Sequence, residues 1–382
     1  MNMRQLVYIV CVIGALLGMV ACDKEDPQPD KPATRTVLIY FAGDNSLSGY
    51  VSSNLAAIKQ GILEKGLNGG NLLVYIDQRS DTPALYQLTV EADTVRQIEV
   101  ERYEADQNSA TTETLTRVLD KVVADFPAEG YGLTLWSHGT GWLPADYKSY
   151  LRSFGQDGGR YIELNDLAEA LAGYHFDFLL FDACYMSCTE VAYALRECAD
   201  YLVGSPNEVL ASGFPYQDIM GMMFDERADV EGIAAAFHAY YAQGRYPYAT
   251  VSVVKCDEME ALASACQAIC KDKSEEELFA VSVDELQLME RLRSDTHALY
   301  DFEDYVSRLA TEEEYAAFKQ ALDRAVVYKN ATPEVFFANP SPSGSIVPME
   351  RFSGLSIYVP QAALPELNAW YKGLAWYKAT CQ

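Results

Sequence analysis

Short apolar runs alternate with helical stretches along most of this chain. The runs contain few polar residues and occupy residues 36–42 (TVLIYFA), 72–77, 132–137, 176–182, 201–204 and 249–255. Such a run is typical of a strand that is buried on both faces of a sheet. The helical stretches occupy residues 50–65, 112–126, 162–171, 189–198 and 227–241. Because strands alternate with helices, the pattern predicts an α/β fold whose mostly parallel sheet is covered by helices on both faces.

Two regions depart from this alternation. Residues 85–90 and 94–103 predict a hairpin with a polar edge. Residues 258–329 have a helical pattern without proline, and a last strand (354–359) and an amphipathic helix (367–378) follow. The linker-like segment NPSPSG (339–344) is interpreted as a loop within one unit, because a single strand and helix after it could not fold alone. The organisation predicted is a core at 35–255 with a helical extension packed on it at 256–382.

The first residues have the pattern of a targeting segment. Arg4 is the only charge before an apolar stretch at 6–21, which is short for a membrane span and predicts a signal peptide at 1–21. The small residues before Cys22 resemble a bacterial lipobox, which implies lipid attachment to its sulfur; an uncleaved signal anchor is the alternative. Residues 22–34 are polar and proline-rich and predict a flexible tether. We therefore expect a cell-envelope protein that is lipid-anchored, at the outer membrane or cell surface.

The charge balance excludes one class of partner. The 382-residue chain has 55 acidic and 29 basic residues, a net charge of −26. Nucleic-acid binding needs a basic surface, and no compact cluster of lysine and arginine occurs here. The acidic runs are interpreted as solvated helix faces, with attraction of cationic substrates as the alternative.

The cysteines favour neither a metal site nor complete disulfide pairing. Of nine cysteines, the predicted signal peptide removes Cys11 and lipid attachment would use Cys22. The remaining seven cannot all pair within one chain, so at least one thiol stays free. Positions 188, 266 and 270 lie on apolar helical patterns and are predicted to be buried small hydrophobes. No CxxC or HxxxH pair occurs, so no structural zinc site is expected.

A histidine and a cysteine follow two of the predicted strands. His138 comes directly after the run at 132–137, and Cys184 comes shortly after the run at 176–182. Ligands of open parallel sheets bind beyond the carboxyl ends of the strands, so these side chains are expected to face one crevice. A thiol attacks as thiolate, and a nearby imidazole takes its proton. A helix soon after Cys184 would also favour the thiolate through its amino end. The alternative to a catalytic pair is a histidine that is hydrogen-bonded within the core and a buried, inert cysteine.

The residue after the histidine has a physical role in this scheme. Gly139 lacks a side chain, so its backbone can approach a reacting carbonyl group. Its N–H, together with the N–H of Cys184, would form an oxyanion hole.

Three blocks of the sequence resemble one known family. LTLWSHGTGW (133–142), FDFLLFDACYM (176–186) and YFAGDNSL (40–47) are similar to blocks of the clostripain family, cysteine peptidases with a caspase-like fold. The resemblance implies that Cys184 is the nucleophile and His138 the general base and acid. It requires no third catalytic residue. It also implies hydrolysis of proteins or peptides after Arg or Lys, through a thioester.

The family's specificity residues are only partly present. Its members bind a basic side chain with two carboxylates, and Asp182 matches the first. The second is expected about thirty residues beyond the nucleophile, where the loop contains only one acid, Glu208, somewhat too early. The alternative for Asp182 is that it ends the strand and accepts hydrogen bonds from loop amides. The alternative for Glu208 is that it is an ordinary residue of the loop or of a helix start.

Two further features come from the same resemblance. Relatives often mature by cutting the loop after the catalytic histidine, and here that loop contains Lys148 and Arg152, which could also be ordinary surface residues. Asp44 and Asn45 follow the first strand and could contact substrate or a calcium ion; the alternative is that they cap the next helix and shape the turn. No cofactor is required for the chemistry.

The function predicted from the sequence is therefore a lipoprotein cysteine endopeptidase. Two alternatives stay open: a peptidase of the same fold with non-basic specificity, motivated by the missing second acid, and a catalytically silent surface-binding lipoprotein.

Overall fold

A nine-stranded mixed sheet forms the centre of the computed structural model, which describes residues 32–144, 153–271, 273–338 and 343–382. The strand order is β12-β10-β9-β8-β5-β1-β2-β3-β4. The strands are β1 Ala33–Gly43, β2 Asn71–Gln78, β3 Ala84–Glu91, β4 Thr94–Arg102, β5 Ala128–Trp136, β8 Phe176–Asp182, β9 Ala199–Gly204, β10 Thr250–Lys255 and β12 Val326–Ala331. The five central strands are parallel, and the outer strands are antiparallel to their neighbours.

Three two-stranded sheets lie outside the main sheet. They pair β6 with β7, β11 with β15 and β13 with β14. Their strands are β6 Phe154–Asp157, β7 Arg160–Ile162, β11 Leu299–Asp301, β13 Glu334–Phe337, β14 Ser345–Pro348 and β15 Ser356–Tyr358. The linker-like segment at 339–344 joins β13 to β14, so it connects two strands of one hairpin.

The helices of the described residues cover both faces of the main sheet. They are α1 Ser48–Lys65, α2 Thr112–Asp125, α3 Leu164–Leu171, α4 Thr189–Ala194, α5 Tyr216–Met223, α6 Val230–Ala242, α7 Met259–Cys270, α8 Glu275–Phe279, α9 Phe302–Leu309, α10 Glu312–Ala325, α11 Pro365–Tyr371 and α12 Ala375–Cys381. Across the described ranges, none of them is long and apolar enough to cross a membrane.

The apolar run of β1 explains why the sheet is covered on both faces. Alternate side chains of a strand point to opposite faces. Val37, Ile39 and Phe41 therefore pack into one hydrophobic core, with residues of α1, α5 and α6. Leu38 and Tyr40 pack into the other, with residues of α2, α3, α4 and α7. Burial of each such side chain stabilises the folded state by about 1.5–3 kcal/mol. This packing holds the carboxyl ends of the strands, where the site lies, in place.

The structure confirms the α/β class but corrects four element predictions. Residues 258–329 are not continuously helical, because they contain β11 and β12. The helix expected at 162–171 begins only at Leu164, since Ile162 belongs to the β6–β7 hairpin. The helix expected at 189–198 ends at Ala194. The helix expected at 367–378 is two helices, α11 and α12, separated near Gly373, a poor helix former.

Residues Ala33–Gln382 form one compact unit. β12 lies beyond residue 255 in the sequence, but it pairs with β10 along one edge of the main sheet. The later part of the chain therefore contributes to the same sheet as the core predicted at 35–255.

Candidate active site

The registers of two neighbouring strands bring His138 and Cys184 to one edge of the sheet. β5 and β8 are parallel, and Trp136 pairs with Asp182 at their carboxyl ends. His138 and Cys184 each lie two residues beyond this pair, so the two loops leave the sheet side by side. Ser137 continues the pairing, since its N–H donates to the carbonyl of Asp182 at 3.4 Å.

Both side chains line a cavity of about 440 Å³. Five positions singled out in the sequence contribute to its wall: His138, Gly139, Asp182, Cys184 and Glu208. The remaining wall residues are neighbours of these five and residues from distant parts of the chain: Ser46, Leu47, Trp136, Ser137, Thr140, Ala183, Tyr185, Val209, Leu210, Ala211, Gly213, Leu292, Phe336 and Ala338. The wall is therefore largely apolar with a few polar groups, which is typical of a ligand site.

The loop after β1 contacts the histidine. The Nε2 atom of His138 lies 2.8 Å from the Oγ of Ser46. Ser137, one residue earlier, donates from its hydroxyl to the carbonyl of Ala42 at 2.7 Å and accepts from the N–H of Gln156 at 3.1 Å. These bonds tie the histidine loop both to the end of β1 and to β6.

Gly139 is packed against the cysteine loop. A Cβ atom at this position would lie 2.7 Å from the carbonyl oxygen of Cys184 and 3.0 Å from the Sδ of Met186. Real Cβ atoms do not approach backbone oxygens so closely, so glycine is required here by space. The contact brings the backbones of the two proposed oxyanion-hole residues together.

The thiol of Cys184 is half-buried and bonded to the loop after β9. Val209 donates its N–H to the Sγ at 3.3 Å, and the thiol donates to the Val209 carbonyl at 3.6 Å. Burial raises the pKa of Cys184 to about 12; the charge of Glu208 adds to the rise, and the Val209 N–H opposes it. The raised pKa favours the neutral thiol. The helix expected to favour the thiolate, α4, begins at Thr189 as predicted, five residues beyond Cys184.

The residue after the nucleophile candidate has an unusual backbone conformation. Tyr185 has a φ of +63°, in the left-handed region that non-glycine residues adopt at a cost of about 1–3 kcal/mol. Its N–H donates to the carbonyl of Asn207 at 2.9 Å, and its hydroxyl donates to Glu208 at the same distance. Two contacts to the loop after β9 thus hold the sharp turn that follows Cys184.

Asp182 lies beneath the cavity and is 4% exposed. Its Oδ2 accepts from the N–H of Phe214 at 3.1 Å and from the hydroxyl of Tyr216 at 2.9 Å. Burial raises its pKa to about 6, although both hydrogen bonds act in the opposite direction. Gly213 covers the carboxylate: a Cβ there would lie 2.5 Å from Oδ2. The amide contact predicted as the alternative for Asp182 is present, and the residue still lines the cavity.

Glu208 connects the cavity wall to the β13–β14 hairpin. Its carboxylate accepts from the hydroxyl of Tyr185 and from the N–H of Ala338, each at 2.9 Å. Burial raises its pKa. The residue therefore has a structural role in the loop as well as a place in the cavity.

The two side chains considered for calcium have other contacts. Asn45 donates to the carbonyl of Ala42, and its own side-chain oxygen accepts from the N–H of Leu47, each within 3 Å. Asp44 lies 3.9 Å from the guanidinium of Arg79. The bonds of Asn45 shape the turn after β1, as part of the alternative interpretation held, but the N-cap position of α1 is Leu47, without a side-chain cap bond. Calcium binding at this turn stays a prediction. In the described part of the chain, no group of three His, Cys, Asp or Glu side chains is arranged to hold a metal ion.

Several wall residues were not found from the sequence. Ser46 belongs to the YFAGDNSL block, so the position of β1 beside β5 could have indicated it. Phe336 and Ala338 follow Cys184 by about 150 residues, and no local pattern marks them. Lys148, Arg152 and Cys22 lie outside the described residues.

The fold and the cavity define a class: an α/β protein with a thiol and an imidazole beyond adjacent parallel strands, the arrangement of a caspase-like cysteine peptidase. The model of the clostripain family, peptidase family C11, matches residues 39–380. The chain therefore belongs to the clostripain family and is a cysteine peptidase.

Solved structures of similar proteins agree with this assignment. An inactive zymogen C11 protease from Parabacteroides distasonis is 60% identical, with a TM-score of 0.87, over 93% of this chain and 100% of that one. A secreted C11 cysteine protease from Bacteroides thetaiotaomicron, in complex with an irreversible peptide inhibitor, is 32% identical, with a TM-score of 0.81, over 91% and 98%.

A third solved structure covers less of this chain. A clostripain from Bacteroides thetaiotaomicron ATCC 29148, in complex with the peptide inhibitor BTN-VLTK-AOMK, is 32% identical, with a TM-score of 0.52, over 59% of this chain and 97% of that one. No curated protein matches the chain in sequence.

Proposed function

We propose that this chain is an endopeptidase in which Cys184 is the nucleophile and His138 the general base and acid. The observation that carries the proposal is the register of β5 and β8, which puts both residues two positions beyond the Trp136–Asp182 pair and on the wall of one cavity. Nucleophilic catalysis by cysteine needs a base within reach of the thiol and a space for the substrate carbonyl group.

The reaction follows from these positions in two steps. His138 takes the thiol proton as the sulfur of Cys184 attacks the carbonyl carbon, and it then gives that proton to the leaving amine. This leaves a thioester, which water hydrolyses with His138 again acting as base. The backbone N–H groups of Gly139 and Cys184 stabilise the oxyanion, a contribution of about 2.7–4 kcal/mol for one donor in a related type of site. No metal or cofactor is part of these steps.

The substrates proposed are proteins or peptides cleaved after Arg or Lys. Support comes from the carboxyl groups of Asp182 and Glu208, which both line a cavity in a chain of net charge −26. The peptide inhibitor bound to one relative, BTN-VLTK-AOMK, has lysine as its last residue. A charge-assisted hydrogen bond to such a side chain contributes about 1.5–3 kcal/mol.

One observation favours the alternative of a non-basic specificity. Asp182 already accepts two hydrogen bonds and has a pKa raised to about 6, and both oxygens of Glu208 also accept hydrogen bonds. A carboxyl group whose oxygens already accept hydrogen bonds, or that is partly protonated, binds a basic side chain less strongly. A cleavage profile on a peptide library decides between the two specificities, since uniform cleavage after Arg or Lys excludes the alternative.

We further propose that the intact chain is a precursor. The hydrogen-bonded thiol of Cys184, with its raised pKa, is consistent with low reactivity before processing. The 60% identical relative is described as an inactive zymogen. Cleavage beside Lys148 or Arg152, in the loop after His138, would be the activating step.

The proposed location is the cell envelope, with a lipid anchor on Cys22 and no nucleic-acid partner. It is supported by the lipobox-like sequence before Cys22 and by the description of one relative as secreted. A calcium requirement stays a prediction, without a site assigned to it.

Replacement of one thiol tests the central proposal. Cys184→Ala should abolish hydrolysis of Arg- and Lys-linked reporter peptides by the processed protein, whereas Cys198→Ala, a buried cysteine outside the cavity, should retain it. Intact mass of both proteins would report self-cleavage. Failure of the processed parent protein to react with any thiol-directed peptide probe would overturn the proposal.

A further inference from the structure

Two cysteines outside the active site lie against each other at the junction of two helices. Cys270 is the last residue of α7, and Cys381 is the last residue of α12. Both are half-buried. They also line one small cavity, of about 20 Å³. The pair is therefore close, partly accessible and not used by the peptidase chemistry.

The surroundings fix the two helices that carry the pair. α12 packs on α7 and on α4, the helix that follows the loop of Cys184. Trp376 of α12 contacts the rings of Tyr193 and Phe302, with centroids 5.5 and 5.8 Å away. These contacts fix α12, and its packing on α7 keeps the helix ends that carry the two cysteines side by side.

A third cysteine beside the pair is a poorer partner for either thiol. Cys266 lies one turn before Cys270 on α7 and is 3% exposed. Cβ atoms four residues apart on a helix are about 5–6 Å apart, whereas a disulfide needs about 3.5–4.5 Å. Cys266 is also buried, whereas Cys270 and Cys381 are partly exposed, so an external oxidant reaches those two thiols more readily. The geometry thus selects one pair from three cysteines.

We propose that Cys270 and Cys381 form a disulfide bond that ties α12 to α7. The oxidant is an external disulfide, either a small molecule or a thiol oxidase, of the kind present in oxidising compartments. The thiolate of Cys381 attacks the external disulfide, releases one thiol and forms a mixed disulfide. The thiolate of Cys270 then attacks the Cys381 sulfur and releases the second thiol. Two cysteine thiols are oxidised, one external disulfide is reduced, and the two protons pass to the released thiolates.

The direction of attack follows from the interaction between the two thiols. The neighbouring Cys270 thiol lowers the pKa of Cys381, and the same neighbour together with burial raises the pKa of Cys270. Cys381 therefore ionises first and is the attacking sulfur. The bond would close a loop of about 110 residues, and cross-links across long loops restrict the unfolded chain most.

Disulfide mapping tests the proposal on the full chain. The Cys184→Ala protein, reduced and then treated with oxidised glutathione, should lose two hydrogen atoms, about 2 Da. After alkylation and trypsin digestion, the peptide 379–382 should be joined to 256–271, and reduction should separate them. Recovery of 379–382 only in alkylated form, or joined to another part of the chain, would overturn the proposal.

Matched serine variants identify the partner within 256–271. Cys270→Ser should abolish the link, and Cys266→Ser should preserve it. Oxidation should raise the Tm of the parent protein and of Cys266→Ser but not of Cys270→Ser. A link that persists in Cys270→Ser would show that the pairing is wrong, and an unchanged Tm of the oxidised parent would show that the bond does not constrain α12.

Discussion

The Nε2 atom of His138 lies 2.8 Å from the Oγ of Ser46, so the turn after β1 touches the proposed catalytic base. The family resemblance requires no third catalytic residue, and the sequence indicated none. The contact nevertheless restricts the ring of His138, because a hydrogen bond at Nε2 limits the rotation of the imidazole. Ser46 is thus a positioning residue for the proposed reaction.

Removal of the Ser46 hydroxyl should slow turnover without weakening substrate binding. A hydrogen bond makes a net contribution of about 0.5–1.5 kcal/mol to the free energy of the state that contains it. Ser46→Ala should therefore lower kcat about two- to tenfold with KM nearly unchanged. Ser46→Thr should retain most of the activity and the wild-type pH profile. The control is Ser53→Ala on α1, where the exposed hydroxyl bonds only within its own helix. Equal kcat values for Ser46→Ala and the wild type would contradict a positioning role.

A methyl group at Gly139 should disrupt the oxyanion hole. The added Cβ would lie 2.7 Å from the carbonyl oxygen of Cys184, so one of the two loops must move. Gly139→Ala should therefore reduce kcat about 100-fold or more, with the circular dichroism spectrum unchanged. Gly49→Ala is the matched control, since nothing lies within 4 Å of the new Cβ at that position. Full activity of Gly139→Ala would exclude this part of the mechanism.

Neutral replacements of the two cavity acids should alter specificity. Asp182→Asn and Glu208→Gln each remove a carboxylate and keep most of the shape. If the acids bind a basic side chain, kcat/KM for Arg and Lys substrates should fall about 10- to 150-fold in each variant. Substrates with a neutral residue before the cleaved bond serve as the internal control and should change little. A parallel loss on both kinds of substrate would mean that the acids act through the loop structure alone.

Stability should fall as the pH rises through the range in which buried acids ionise. Burial raises the pKa of Asp77, Glu190 and Glu290 to about 7 and that of Asp182 to about 6. The native state therefore binds more protons than the unfolded state between about pH 4 and 7, and stability is lost as pH rises through this window.

Thermal unfolding measures this dependence. The Tm should be higher at about pH 5.5 than at pH 8, by a few degrees. Repulsion among surface charges has the same sign, but salt screens it. The difference should therefore persist in about 0.5 M salt if the buried carboxyl groups cause it. A Tm that is higher at pH 8 in high salt would contradict the assignment.

The apolar runs made the central strands and the two catalytic candidates predictable. A run such as 176–182 has only one stable environment, a sheet covered on both faces, and the residue that follows such a strand lies at its carboxyl end. β1, β5 and β8 therefore appeared close to their expected positions, together with the loops that contain His138 and Cys184. The hairpin of β3 and β4 was also found, because its polar alternation is local.

Short strands in the second half of the chain were not predictable. β12 and β11 lie within a sequence that favours helix, and only pairing with β10 and β15 makes them strands. A strand of three to six residues has too few alternating positions to give a recognisable strand pattern within a helical sequence. Tertiary hydrogen bonds outweigh local propensity at such sites.

Sequence alone therefore determined which residues are the catalytic candidates and at which strand ends they lie. The tertiary structure decided what those residues meet: Ser46 beside His138, the loop amide of Val209 on the Cys184 sulfur, the hydrogen bonds of Asp182 and Glu208, and the contact between Cys270 and Cys381. The physical reason is the distance along the chain between the interacting groups. The periodicity of buried residues depends on sequence neighbours, whereas pKa values and hydrogen-bond partners depend on groups that only folding brings within about 4 Å.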